Sequence, residues 1–265
     1  MIQKTKILIC GITVVLALAL AACPTGSGDS DNSSRLRLSG KVYTQDFDIK
    51  TLSVTYNNYN ENLEISDGVL GGVGKIRNGQ LNYTIGEPPL SPIGEGLASL
   101  KEMYPGLEFS SEDVNAAVVI LEIVGSEEYS YISKTAFNIT PSIFPPAIKL
   151  TIETVNYVYL DKDIKITAEG NYFEYNDFDF PISLTTENIN LSLKKGWNPL
   201  YSKISVQINV PRELLSSLDL SSLDLSTLNL ADLRPTGNLS MSVADPDSLK
   251  WALETSQPSD FLQLQ

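Results

Sequence analysis

The chain has no histidine and only two cysteines, Cys10 and Cys23. Without histidine there is no His-dependent catalytic triad, no imidazole base and no imidazole ligand for zinc. Beyond Cys23 there is no thiol, so the body can hold neither a disulfide nor a cysteine nucleophile. Cations are scarce as well: 19 basic residues stand against 32 acidic ones, a net charge of −13. A surface of that sign is repelled by phosphate, which argues against nucleic acid as a partner. The only adjacent basic pair past the first residues is Lys194-Lys195, too little for a binding patch. Helical periodicity is thin, confined to Leu97, Leu100 and Tyr104 and to a short turn that Ser110 and Asp113 could cap.

What the sequence has instead begins at its start. Lys4 and Lys6 form a positive end, an apolar run follows from Ile7 to Ala22, and small residues close it at Leu20-Ala21-Ala22, directly before Cys23. A positive start, an apolar middle and a small-residue cut site predict a secretory signal over 1–22. The run is shorter than the ~20 residues of a spanning helix. Leu20-Ala21-Ala22-Cys23 resembles the lipobox of bacterial lipoproteins. The resemblance implies cleavage before Cys23 and a diacylglycerol (a palmitate-type anchor) on its sulfur, holding the protein to a cell or outer membrane, facing the periplasm or the exterior. Two acyl chains hold stably, at about 0.8 kcal/mol per buried methylene.

Removing Lys4 and Lys6 leaves 17 basic against 32 acidic residues, a net of −15. Residues 23–35 follow as a tether, because Pro24 to Ser34 offers no apolar side chain to bury. As a flexible coil it spans on the order of 20 Å.

The body reads as strand. Leu36, Leu38 and Val42 alternate with polar residues, as do Leu52, Val54 and Tyr56; Ile204 to Val210; Leu239 to Val243; and Leu249 to Leu253. Asn78-Gly79 has the chemistry of a type I′ hairpin turn. Two-residue register then sets Ile76 opposite Leu81 and Gly74 opposite Tyr83. Between Ala147 and Leu160 the apolar parity slips: Ile148, Leu150 and Ile152 share one face, Val155, Tyr157 and Tyr159 the other. A β-bulge near Glu153-Thr154 or burial of both faces accounts for it. Pro141 to Pro146 reads as a connector outside any sheet. Leu218 to Leu233 repeats every five residues, a spacing that fits neither strand nor helix and slightly resembles pentapeptide repeats, so 214–233 is expected to be a Leu-rich insertion.

The expected fold is mainly β, an antiparallel sandwich-like architecture with short helices and two domains, 36–125 and 126–265, divided near Gly125. Leu38-Ser39-Gly40-Lys41-Val42-Tyr43, with Asn78 through Ile85, resembles transthyretin-like or carboxypeptidase-regulatory-like β-sandwich domains over 36–125. That resemblance implies a non-catalytic module of surface proteins. Lys195-Gly196-Trp197-Asn198 and Leu249-Lys250-Trp251 are similar to segments of other lipoproteins, with no functional residue to transfer.

Chemical motifs mostly fail. Gly68 to Lys75 lacks the first glycine and the final hydroxyl of a phosphate loop, where Val69 and Ile76 stand. Ser192 and Lys195 match Ser-x-x-Lys, but Leu191 and Leu193 make that segment a strand. Asp161 with Asp163, or Asp177 with Asp179, could offer oxygens to calcium but lack the ligand count of a dedicated loop. No metal site and no cofactor are expected. Paired carboxylates leave open a glycosidase-like hydrolase. Tyr172, Phe173, Tyr175 and Phe178 among acids read first as buried strand aromatics and otherwise as the candidate ligand face, since rings beside carboxylates grip sugars. The expected role is a non-catalytic binding or adhesion module of the envelope with a glycan or envelope-protein partner; a carboxylate hydrolase or a structural component of an envelope complex are the alternatives.

Overall fold

The computed structural model describes residues 35–48, 53–68, 70–92, 106–111, 113–143, 146–175, 182–209 and 235–255. The signal, Cys23, the tether through Ser34, Leu97 to Tyr104 and the Leu-rich stretch 214–233 lie outside them. Described residues form strands without a helix: β1 (Leu36–Asp48), β2 (Ser53–Asn58), β3 (Leu63–Ser66), β4 (Val73–Arg77), β5 (Gln80–Ile85), β6 (Ser91–Pro92), β7 (Glu108–Phe109), β8 (Asn115–Val118) and β9 (Leu121–Val124). The second half adds β10 (Tyr129–Ile143), β11 (Pro146–Leu160), β12 (Ile164–Ala168), β13 (Tyr172–Tyr175), β14 (Ile182–Thr186), β15 (Ile189–Leu193), β16 (Gly196–Asn209), β17 (Thr236–Val243) and β18 (Lys250–Thr255).

The fold is mainly β and sandwich-like: a large mixed sheet faces a small one of β15, β12 and β7. The large sheet runs β13-β14-β17-β16-β11-β10-β18-β1-β5-β4-β3-β9, and β9 then pairs back onto β10. One end is therefore an open sheet and the other a closed ring. Pairing is antiparallel except for β1 with β18 and β14 with β17, which are parallel. Such neighbours come from distant parts of the chain, so local alternation gives no sign of them. Gly125, with φ 74°, sits in the turn between β9 and β10.

Two cores fill this frame. Aliphatic side chains of β8, β11, β12, β14, β15, β16 and β17 pack under the open sheet, with Leu160, Leu184 and Leu193 among the most buried. Inside the ring lie Leu38, Val42, Ile76, Leu81, Tyr83, Ile85, Tyr129 and Trp251. The Asn78-Gly79 hairpin forms as expected, with both residues at positive φ and Ile76 opposite Leu81, Gly74 opposite Tyr83. Strand β5 alternates exposed and buried residues throughout.

No bulge interrupts β11: its register with β10 and β16 is continuous through Glu153 and Thr154. The parity slip arises because β11 is shared. Ile152, Val158 and Leu160 point into the aliphatic core, whereas Val155 and Tyr157 point into the ring core. Two further expectations are corrected. Pro141 lies within β10, opposite Ile148, rather than in a connector. It is tolerated because β18 pairs with β10 only as far as Thr135, leaving Pro141 a ladder partner on one side alone. Ser110 caps no helix; its hydroxyl accepts the Lys165 N–H at 2.9 Å, and Asp113 pairs with Lys162.

Candidate functional site

A depression of about 460 Å³ opens at one end of the ring. Its wall combines Tyr59 and Tyr129 with Glu61, Glu128, Asn58, Asn60, Thr44 and Ser126, and no lysine or arginine lines it. Local chemistry places each part. The hairpin turn supports the loop that carries Tyr59: Gly79 N–H donates to Glu61 O at 3.2 Å, and Asn78 N–H donates to Asn62 Oδ1 at 2.9 Å. The Val42 backbone bridges them, donating to Gly79 O and accepting from Tyr59 N–H. Gly79 is required here on two counts. Its φ is +68°, and an added Cβ would lie 1.7 Å from Tyr59 O. On the opposite wall, Ser126 Oγ accepts from the backbone N–H groups of Glu128 and Tyr129, fixing the turn that enters β10.

The two tyrosine rings meet edge to face, centroids 5.8 Å apart at 80°. Burial pushes the Tyr59 phenol up, helped by the charges of Glu61 and Glu128. Tyr129 is driven well above the ordinary tyrosine value, first by burial, then by its hydrogen bond with Glu128 and by nearby negative charge. Both phenols stay protonated at neutral pH and can donate hydrogen bonds. Rings, amides, hydroxyls and carboxylates thus meet in one concave surface, a mixture suited to a hydroxyl-rich ligand.

The same lobe repeats the tyrosine–carboxylate pairing. Tyr157 O–H donates to Asp245 Oδ2 at 2.9 Å, and Asp245 Oδ1 contacts Lys134 Nζ. Burial, followed by the Glu153 charge, raises Tyr201 to about 12. Burial, followed by the Glu87 charge, does the same for Tyr159, also to about 12. Glu153 is held by Lys203 at 3.1 Å.

The residues singled out by sequence lie elsewhere. Tyr172 is on β13, the outer strand of the open sheet, 57% exposed, with its O–H donating to Ser183 Oγ at 3.0 Å. Phe173 and Tyr175 share that strand, opposite Leu184 and Ile182; Phe178 is outside the described residues. Asp161 and Asp163 serve their turn. Asp161 accepts from the Asn115 backbone and side chain, and Asp163 from Lys194 Nζ and Lys195 N–H. Those contacts hold the Asp163 carboxyl below its usual range. Asp177 and Asp179 are outside the described residues. Among the described residues no group of three or more carboxylates could hold a metal ion, and no helix is long and apolar enough to cross a membrane. Sequence reasoning missed the depression because Tyr59 and Tyr129 are brought together only by the ring. The one local hint is the run Asn57-Asn58-Tyr59-Asn60-Glu61-Asn62, a turn unusually dense in amide groups.

No protein-family model, curated protein or solved structure matches the chain.

Proposed function

We propose that the protein is a lipid-anchored, non-catalytic binding module of the bacterial envelope, contacting a glycan through the depression at the end of its ring. Anchoring rests on Leu20-Ala21-Ala22-Cys23 and the positive, apolar segment before it. The binding role rests on the depression itself, where Tyr59 and Tyr129 stand among amide, hydroxyl and carboxylate groups. Saccharides use this combination, stacking their C–H faces on rings while their hydroxyls find acceptors. The acidic lining and the net charge of −13 disfavour nucleic acid.

Replacing Cys23 with Ser is expected to abolish palmitate labelling and leave the precursor uncut; undiminished label ends the anchoring half. A carboxylate hydrolase is the second reading, favoured by Glu61 and Glu128 facing one depression. Incubating the full-length protein with envelope polysaccharide separates the two. Retention without new reducing ends supports the binding module, and steady release of them that Glu128→Gln abolishes supports the enzyme.

A further inference from the structure

Away from the depression, one group of side chains has a chemistry that the binding role does not use. Lys134 lies mid-sheet on β10, opposite Val155 of β11 and Trp251 of β18, with its side chain only 13% exposed. Its Nζ meets Asp245 Oδ1, from the connector between β17 and β18. That connector is tightened by the Leu249 N–H to Pro246 O bond. The second oxygen, Oδ2, accepts the Tyr157 O–H at 2.9 Å. Tyr157 is stacked on Trp251, centroids 6.3 Å apart at 17°, and both rings are buried. A nucleophilic nitrogen from β10, a hydrogen-bond donor from β11 and a carboxyl carbon from the β17–β18 connector thus meet at one point.

We propose that Lys134 and Asp245 become joined by an amide bond, a covalent link between β10 and the β17–β18 connector. It goes beyond the binding role and does not depend on it. Proton transfer within the pair gives the neutral amine and the carboxylic acid. The Nζ lone pair forms a bond to Cγ, and the negative charge that develops falls on Oδ2, where the Tyr157 O–H receives it. The Cγ–Oδ1 bond then breaks, and Oδ1 leaves as water carrying the acid proton and one proton from nitrogen. An ammonium and a carboxylate become a neutral amide and water; no atom changes oxidation state and no co-reactant enters.

Two physical arguments favour the step over a lasting ion pair. The Lys134 charge, on a largely buried side chain, carries a desolvation cost that a neutral amide escapes, whereas Asp245 keeps 36% of its side-chain surface exposed. Holding the groups in contact also replaces an encounter in solution with an effective concentration of roughly 10⁵–10⁸ M. A plain ion pair is the competing outcome, and peptide mapping of the full-length protein separates the two. The link predicts that trypsin spares Lys134 and that the Lys134 and Asp245 peptides appear as one species, lighter than their sum by one water. Asp245→Ala restores cleavage after Lys134. Recovery of both peptides from the wild-type protein at their unmodified masses overturns the proposal. Tyr157 acts as a positioning residue: Tyr157→Phe is expected to slow linkage on the order of a hundredfold, read as linked fraction against time. An unchanged rate overturns that role.

Discussion

The two ends of the large sheet are built from different side chains. Among the described residues, the core under the open sheet is almost wholly aliphatic, with Phe137 its one buried ring and no tyrosine. Inside the ring the core includes Tyr83, Tyr129, Tyr157 and Trp251, with Tyr59, Trp197 and Tyr201 packed against it. Aliphatic side chains offer packing alone, so the proposed binding role leaves the open-sheet lobe as scaffold. Tyrosines bring a hydroxyl to the edge of the apolar interior. Here that hydroxyl meets carboxylates: Glu128 at Tyr129, Asp245 at Tyr157 and Glu153 at Tyr201. In a chain so short of cations, phenols take over part of the work of holding acids, and the polar depression lies at the tyrosine-rich end.

Cavity-forming substitutions are expected to have the largest effects, in both lobes. Trp251→Ala removes a ring that stacks on Tyr157 and donates to Ser39 O, and should cost about 3–5 kcal/mol. Leu193→Ala empties a site in the aliphatic core and should cost about 2–5 kcal/mol. Denaturant unfolding checks both; a cost under about 1 kcal/mol in either would contradict its core assignment.

Alkali should separate the lobes. Seven phenols, those of Tyr56, Tyr59, Tyr83, Tyr129, Tyr157, Tyr159 and Tyr201, are raised above 10.0, in each case with burial as the largest cause. Below pH 10 these phenols keep their protons folded or unfolded, and their contribution to stability is fully present. Above it the unfolded chain releases protons that the folded chain retains, so stability falls as pH rises toward the folded values. Tyrosinate absorbance from these seven phenols is expected to appear together with loss of sheet signal in circular dichroism. Independent ionisation of these seven near pH 10 with the sheet intact would contradict the buried-phenol account.

Smaller effects follow at the hairpin and at the surface. Gly79→Ala should cost about 1–3 kcal/mol through backbone strain and contact with Tyr59 O. It should also disturb the depression more than the scaffold. A double-mutant cycle on Glu153 and Lys203 should give below about 1 kcal/mol, because Lys203 is 43% exposed. A larger coupling would place that pair in the core.

Much of the local structure was legible. Period-two alternation located β1, β2, β16, β17 and β18, and Asn78-Gly79 gave both the turn and its register. The pairing of Ile204 with Leu239 agrees with the clean alternation that flanks the Leu-rich stretch. What was hidden is long-range. The parity slip in β11 was visible, but a bulge and a strand shared by two cores leave the same trace in sequence. Closure of the ring by β9 on β10, and the parallel contact of Val42 with Trp251, have no local signature. The depression inherits that difficulty, since its tyrosines come from the two sides of the closure. Tyr172 stood out in sequence because aromatics cluster around it, whereas Tyr59 stands alone in a polar turn.

The comparison between the lobes is tested most directly by substituting one tyrosine in each, the half-buried Tyr59 and the exposed Tyr172. Binding of envelope polysaccharide is measured by co-sedimentation for the wild-type protein, Tyr59→Ala and Tyr172→Ala, with circular dichroism confirming that each is folded. Tyr59→Ala is expected to lower binding at least about tenfold, the loss of one stacking contact and its hydrogen bonds, and Tyr172→Ala to leave it unchanged. Binding that survives Tyr59→Ala but is lost in Tyr172→Ala would move the site to the open sheet and contradict the account.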